Sequence, residues 1–104
     1  MAYSSYTLIG SGNLATVISH ELDLQGVRPS GIVSKTLSHA RLLAEELKVD
    51  FSSEIRIFDK SDFVLVAVSD DAIAEVLEKL APTRVPVFHV SGSTPIRIFP
   101  KGIP

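Results

Sequence analysis

The sequence predicts an α/β domain, a doubly wound parallel sheet in the strand order 3-2-1-4-5 with helices on both faces. Three observations carry that prediction. Tyr6-Thr7-Leu8-Ile9, apolar and β-branched, runs straight into Gly10-Ser11-Gly12 and then into a helical pattern that starts at Asn13. Strand-like and helix-like stretches alternate along the rest of the chain, which forces parallel pairing with right-handed crossovers. Phe63-Val64-Leu65-Val66-Ala67-Val68 is apolar throughout, as a strand covered on both faces must be.

Taken in order, Tyr6 to Ile9 is the first strand. From Asn13 to Leu24, apolar Leu14, Val17, Ile18, Leu22 and Leu24 recur near helical spacing between polar Ser19, His20, Glu21 and Asp23, and Gly26 ends that helix as a left-handed cap. Pro29-Ser30 is expected to break the chain before a second strand, Gly31 to Ser34. Thr36 or Ser38 can cap the next helix, whose Ala40, Leu42, Leu43, Ala44 and Leu47 form the apolar face and whose Arg41, Glu45, Glu46 and Lys48 face water. Val49-Asp50-Phe51 reads as a brief third strand, followed by a loop with one helical turn through Phe58. Asp59 to Asp62 is a polar turn and Phe63 to Val68 the fourth strand. Ser69-Asp70-Asp71 opens a helix to Leu80 with Ile73, Val76, Leu77 and Leu80 turned inward. Pro86 to Val90 is the fifth strand. Residues 1–95 are thus expected to form the domain, and 96–104, which carry Pro100, Gly102 and Pro104, an irregular tail or cut linker.

Composition narrows the function classes. The 104 residues are 45% hydrophobic and 21% charged with a formal net charge of −2, an ordinary globular composition without the basic excess that nucleic acid or an acidic membrane surface would call for. With no cysteine there is no disulfide framework, no thiolate nucleophile and no cysteine-ligated metal, which suits a cytoplasmic protein. Apolar runs such as Phe63 to Val68 are too short to span a bilayer, and the first six residues lack the basic-then-apolar pattern of a signal peptide.

In a doubly wound sheet, ligands bind outside the carboxyl ends of the strands, where the strand order reverses. That point falls between the first and fourth strands, so Gly10, Ser11, Gly12, Asn13 and Leu14 should meet Val68, Ser69 and Asp70 there. Ser34, Lys35 and Thr36 should stand on one side, with Ser91 and Gly92 on the other. Gly10-x-Gly12-x-x-Ala15 suits a dinucleotide: Gly10 for the bend, Gly12 for close backbone approach to a pyrophosphate, Ala15 for tight packing of helix on strand. The alternative is a glycine turn that serves packing alone.

The end of the second strand chooses between cofactors. An NAD site usually places Asp or Glu there, about 20 residues beyond the glycine loop, to accept both ribose hydroxyls. Ser34-Lys35-Thr36 instead offers a cation and two hydroxyls, which suits a 2′-phosphate, so NADP is preferred over NAD. Lys35 as a solvated loop residue is the alternative. Asp70 and Asp71 sit where a nicotinamide ribose or a substrate would lie, and equally where acids complement a helix dipole. His89 reads as a core or edge residue of its strand rather than a general acid, and His20 and His39 as exposed helix residues. No histidine has a second ligand at metal spacing, so no metal is expected, and no catalytic acid or base can be named.

On these segments the chain resembles a known group. Ile9 to Ala15, Val33 to Thr36, Val66-Ala67-Val68-Ser69-Asp70-Asp71-Ala72-Ile73 and His89-Val90-Ser91-Gly92-Ser93 resemble the N-terminal NADP-binding domain of Rossmann-type oxidoreductases. These belong to the pyrroline-5-carboxylate reductase and ketopantoate reductase superfamily, and the nearest likeness is to a bacterial group of Rossmann-like NADP-dependent oxidoreductases. The resemblance implies hydride transfer to or from an unidentified small-molecule substrate. It also implies a C-terminal helical domain, with no counterpart here, that forms a homodimer and closes over the site. A non-catalytic nucleotide-binding or redox-sensing module is the rival function. A methyltransferase would want an acid where Lys35 stands.

Overall fold

The computed structural model describes residues 3–80, 85–90 and 99–101. The strands are β1 (Ser5–Ile9), β2 (Arg28–Val33), β3 (Asp50–Ser52), β4 (Phe63–Val66), β5 (Val87–His89) and β6 (Phe99–Lys101). The helices are α1 (Asn13–Leu24), α2 (Leu37–Leu47) and α3 (Asp70–Leu80). The sheet order is β3-β2-β1-β4-β5-β6, parallel from β3 to β5, and this is a Rossmann-like α/β fold. Only β6 is antiparallel, with Phe88 opposite Pro100. The tail expected to be irregular therefore supplies a short edge strand at 99–101. Proline is tolerated at such an edge because its missing N–H leaves no ladder bond unmade on the solvent side.

Alternation along the strands divides the core in two. Tyr6, Leu8, Ile32 and Leu65 face α1 and α2, whose Ala15, Ile18, Ala40, Leu43, Ala44 and Leu47 complete that layer. Ile9, Val33, Val64, Val66 and Val87 face the other way, toward Val76 and Leu80 of α3. Ile55, Ile57 and Phe58 of the β3-to-β4 crossover pack on this second face, and the crossover contains no helical turn at 53–58, contrary to the sequence reading. Burial tracks the i, i+3, i+4 stripe strictly. Val17, Leu24 and Leu42, expected inside, lie off the stripe and are exposed.

Two local features had no sequence signal. β2 starts at Arg28, so Pro29 lies within the strand; a register shift sits between Tyr6 and Thr7, and β3 pairs with β2 only from Gly31 onward. Gly31 is fixed by the crossover, because a Cβ there would stand 2.4 Å from the Phe58 ring. The buried Thr7 holds that crossover in place: its Oγ1 accepts the Phe58 N–H at 2.8 Å and shares a 2.8 Å hydrogen bond with the Ser61 hydroxyl. At the amino end of the sheet, Asp62 accepts the Ser4 and Ser5 N–H groups at 2.8 and 3.2 Å.

Candidate functional site

The sheet ladders continue past the strand ends and so bring the connecting loops to one edge. The Gly10 N–H donates to the Val33 carbonyl at 2.7 Å, Ala67 to Ile9 at 2.8 Å, Ser34 to Ser52 at 3.0 Å and Val90 to Val66 at 3.1 Å. Four chain segments therefore leave the sheet side by side at its carboxyl edge, with β1 and β4 adjacent where the order reverses. A cleft of 290 Å³ opens there, walled by Gly10 and Ser11, by Ser34 to Thr36, by Val68 and Ser69, and by Ala72, Glu75 and Val76 of α3.

Gly10 has φ +123°, and a Cβ on it would meet the Ala67 carbonyl oxygen at 2.2 Å. Only glycine fits this bend, because the backbone of Ala67, just past β4, passes directly behind it. Gly12 is different: its backbone is extended and nothing lies within 4 Å of where a Cβ would point. It is the N-cap of α1 and offers no side-chain cap, and the first turn carries no acid. The first N–H groups of a helix have no intrahelical partner and carry the positive end of its dipole, and Gly12 and Asn13 at that end of α1 are exposed.

Ser11 and Ser34 bridge the glycine loop to the end of β2 through a buried hydroxyl pair 2.6 Å apart. Ser34 Oγ also accepts the Thr36 N–H at 3.1 Å, so it is Ser34, not the Thr36 hydroxyl, that secures the start of α2. Across the cleft, Lys35 Nζ lies 3.5 Å from Glu75 Oε1, and Lys79 Nζ approaches the same oxygen at 3.3 Å. These two lysines, Lys79 foremost, hold the Glu75 carboxyl below its usual range.

Of the residues expected at the site, Gly10, Ser11, Ser34, Lys35, Thr36, Val68 and Ser69 line this cleft. Gly12 and Asn13 are exposed at the α1 N-terminus, while the Leu14 side chain packs into the core. Asp70 begins α3, and Ser91 and Gly92 lie outside the described residues. His89 is half-buried in β5; His20, on α1, meets Glu46 of α2 at 3.0 Å on the surface. Sequence reasoning missed Glu75. Its i, i+4 spacing to Lys79 is visible in the sequence, but its reach to Lys35 depends on how α3 crosses the sheet.

The family described as NADP oxidoreductase, coenzyme F420-dependent, matches residues 5–92. The chain belongs to this family. Its members' name implies a nicotinamide dinucleotide as cofactor. No curated protein matches the sequence. Among solved structures it is similar to BF3122 of Bacteroides fragilis, assigned as an NADP oxidoreductase, at 22% identity and TM-score 0.67 over 95% of this chain. A pyrroline-5-carboxylate reductase of Coxiella burnetii is 26% identical with TM-score 0.72 over 86% of the chain, and one of Streptococcus pyogenes 21% with 0.60 over 84%. The chain spans 51%, 36% and 33% of the lengths of these three proteins. Among the described residues no helix is long and apolar enough to cross a membrane, and no three His, Asp or Glu side chains gather as a metal site.

Proposed function

We propose that the carboxyl-edge cleft and the α1 N-terminus together bind NADP(H), with NADP preferred over NAD, as the cofactor-binding part of an NADP-dependent oxidoreductase. The observation that carries this reading is the open Gly12 position over an uncapped helix end, beside a cleft that holds a cation and hydroxyls at the end of β2. Gly12 leaves room for a pyrophosphate, and the N–H groups of Asn13 and Leu14 can hydrogen-bond it. Ser34, Lys35 and Thr36 would hold a phosphate on the adenosine ribose, Lys35 as a compact charge with three donors. Val68, Ser69 and Asp70 would border the ribose on the α3 side, with Ser91 and Gly92 toward the nicotinamide. When bound, the cofactor supplies the hydride chemistry, and this chain orients it.

Among the described residues lining the cleft we assign no proton donor to a substrate, and in this reading a further domain supplies the substrate contacts and the catalytic acid. The same holds for a homodimer contact. The similar proteins are about two to two and a half times as long as this chain, which supports that division of labour. Calorimetric titration with NADPH and NADH tests the cofactor preference. Lys35→Gln should weaken NADPH by about 10-fold, the lower end of what a charged hydrogen bond contributes, and leave NADH within about 2-fold. Equal losses for both would remove Lys35 from the phosphate role.

A further inference from the structure

The cleft contains both signs of charge at its ribose end. The end of β2 carries Lys35 where NAD sites usually carry an acid. An acid is nevertheless present, supplied from the opposite wall: Glu75, which lines the cleft together with Ala72 and Val76 and stands 3.5 Å from Lys35. At that distance the contact is an ion pair rather than a tight hydrogen bond, and both side chains are more than half exposed. It is therefore easily exchanged. A second partner is already in place, since Lys79 sits one turn further along α3 at 3.3 Å from the same oxygen, in the favourable Glu-before-Lys order. Lys79 is absent from the cleft lining.

Building on the cofactor reading above, we propose that Glu75 is a specificity-determining residue. Its carboxylate occupies Lys35 across the cleft until a ligand phosphomonoester takes its place, whereupon Glu75 stays on α3 with Lys79. A ligand with a ribose phosphate gains Lys35 but must displace a carboxylate to do so. A ligand with two free ribose hydroxyls leaves the pair intact. Glu75 thus sets the margin by which the phosphorylated dinucleotide is preferred. Lys79 tunes that margin without touching the ligand, because it lowers the cost of releasing Glu75 from Lys35.

The test is a double-mutant cycle of Glu75→Gln and Lys79→Met, read as the dissociation constants of NADPH and NADH in low salt. Removing the competing carboxylate in Glu75→Gln should tighten NADPH by about 2- to 5-fold, the range of an exposed ion pair, and move NADH by less than about 2-fold. Lys79→Met should weaken NADPH by a similar factor in the wild-type background and not at all in the Glu75→Gln background. Both effects should shrink in high salt. Three results would overturn the proposal while leaving the cofactor reading intact. Glu75→Gln could leave NADPH unchanged. It could weaken NADH, which would make Glu75 an acceptor for ribose hydroxyls. Lys79→Met could weaken NADPH equally in both backgrounds, which would put Lys79 on the ligand itself. Failure of the folded wild-type chain to bind either dinucleotide would overturn the cofactor reading, and this proposal with it.

Discussion

Gly10 and Gly12 stand two residues apart in one loop and are glycine for different reasons. The first is demanded by the fold: φ +123° and a Cβ position 2.2 Å from the Ala67 carbonyl oxygen leave no room for a side chain. The second has an extended backbone at negative φ and no protein atom within 4 Å of where a Cβ would stand, so the fold itself does not demand glycine there. The glycine pattern marked both positions in the sequence but could not separate them, because the atom that decides the matter belongs to Ala67, just past β4 and more than fifty residues away. Gly10→Ala should therefore destabilise the fold by about 3 kcal/mol or more, a large share of a small domain's total. Urea unfolding checks this, and an unchanged midpoint would refute the close approach. The Ser11–Ser34 pair was named residue by residue in the sequence, yet its 2.6 Å bridge depended on the β1–β2 register.

At the level of elements, the order of strands and helices was legible because buried parallel strands and amphipathic helices leave distinct periodicities. α2 shows both the strength and the limit of that signal. Ala40, Leu43, Ala44 and Leu47 follow the stripe and are buried, whereas Leu42 is apolar by composition and exposed by geometry. β2 began earlier than expected because pairing with β1 overrides the break that Pro29 suggests, and β6 was invisible because an edge strand through Pro100 has no periodicity to read.

The loops also divide the labour of the sheet. Its amino edge is closed by side-chain hydrogen bonds, above all those of Asp62. The Ser4 backbone hydrogen bond, followed by those of Ser5 and the Ser4 hydroxyl, holds the Asp62 carboxyl below its ordinary value of 3.8. A carboxylate whose folded pKa is depressed stabilises the fold fully above its unfolded pKa, and that contribution is lost as pH falls through the lower folded value. Wild type should therefore melt above Asp62→Asn at neutral pH, with the gap constant down to about pH 5 and closing below pH 3.8. A gap that persisted undiminished in strong acid would contradict this role.

For the molecule as a whole, the carboxyl edge is where polar, small-residue loops converge and where a helix dipole is left unneutralised. This is the half of the sheet that a Rossmann-like fold gives to ligands. Family membership implies a nicotinamide dinucleotide, and the proposed place for its adenosine end is the cleft at this edge. What the sequence could not convey was the far wall of the cleft, since Glu75 acquires its meaning only from the packing of α3 against the sheet. Calorimetric titration of NADPH into wild type and Gly12→Val tests the central reading most directly, because no protein atom lies within 4 Å of where the new Cβ would stand. The expected result is saturable heat from wild type and none from the variant, which stays folded with a melting temperature lower by about 5 °C, the cost of a poorer N-cap. Equal affinity in the two proteins would show that the loop over α1 is not where the pyrophosphate lies.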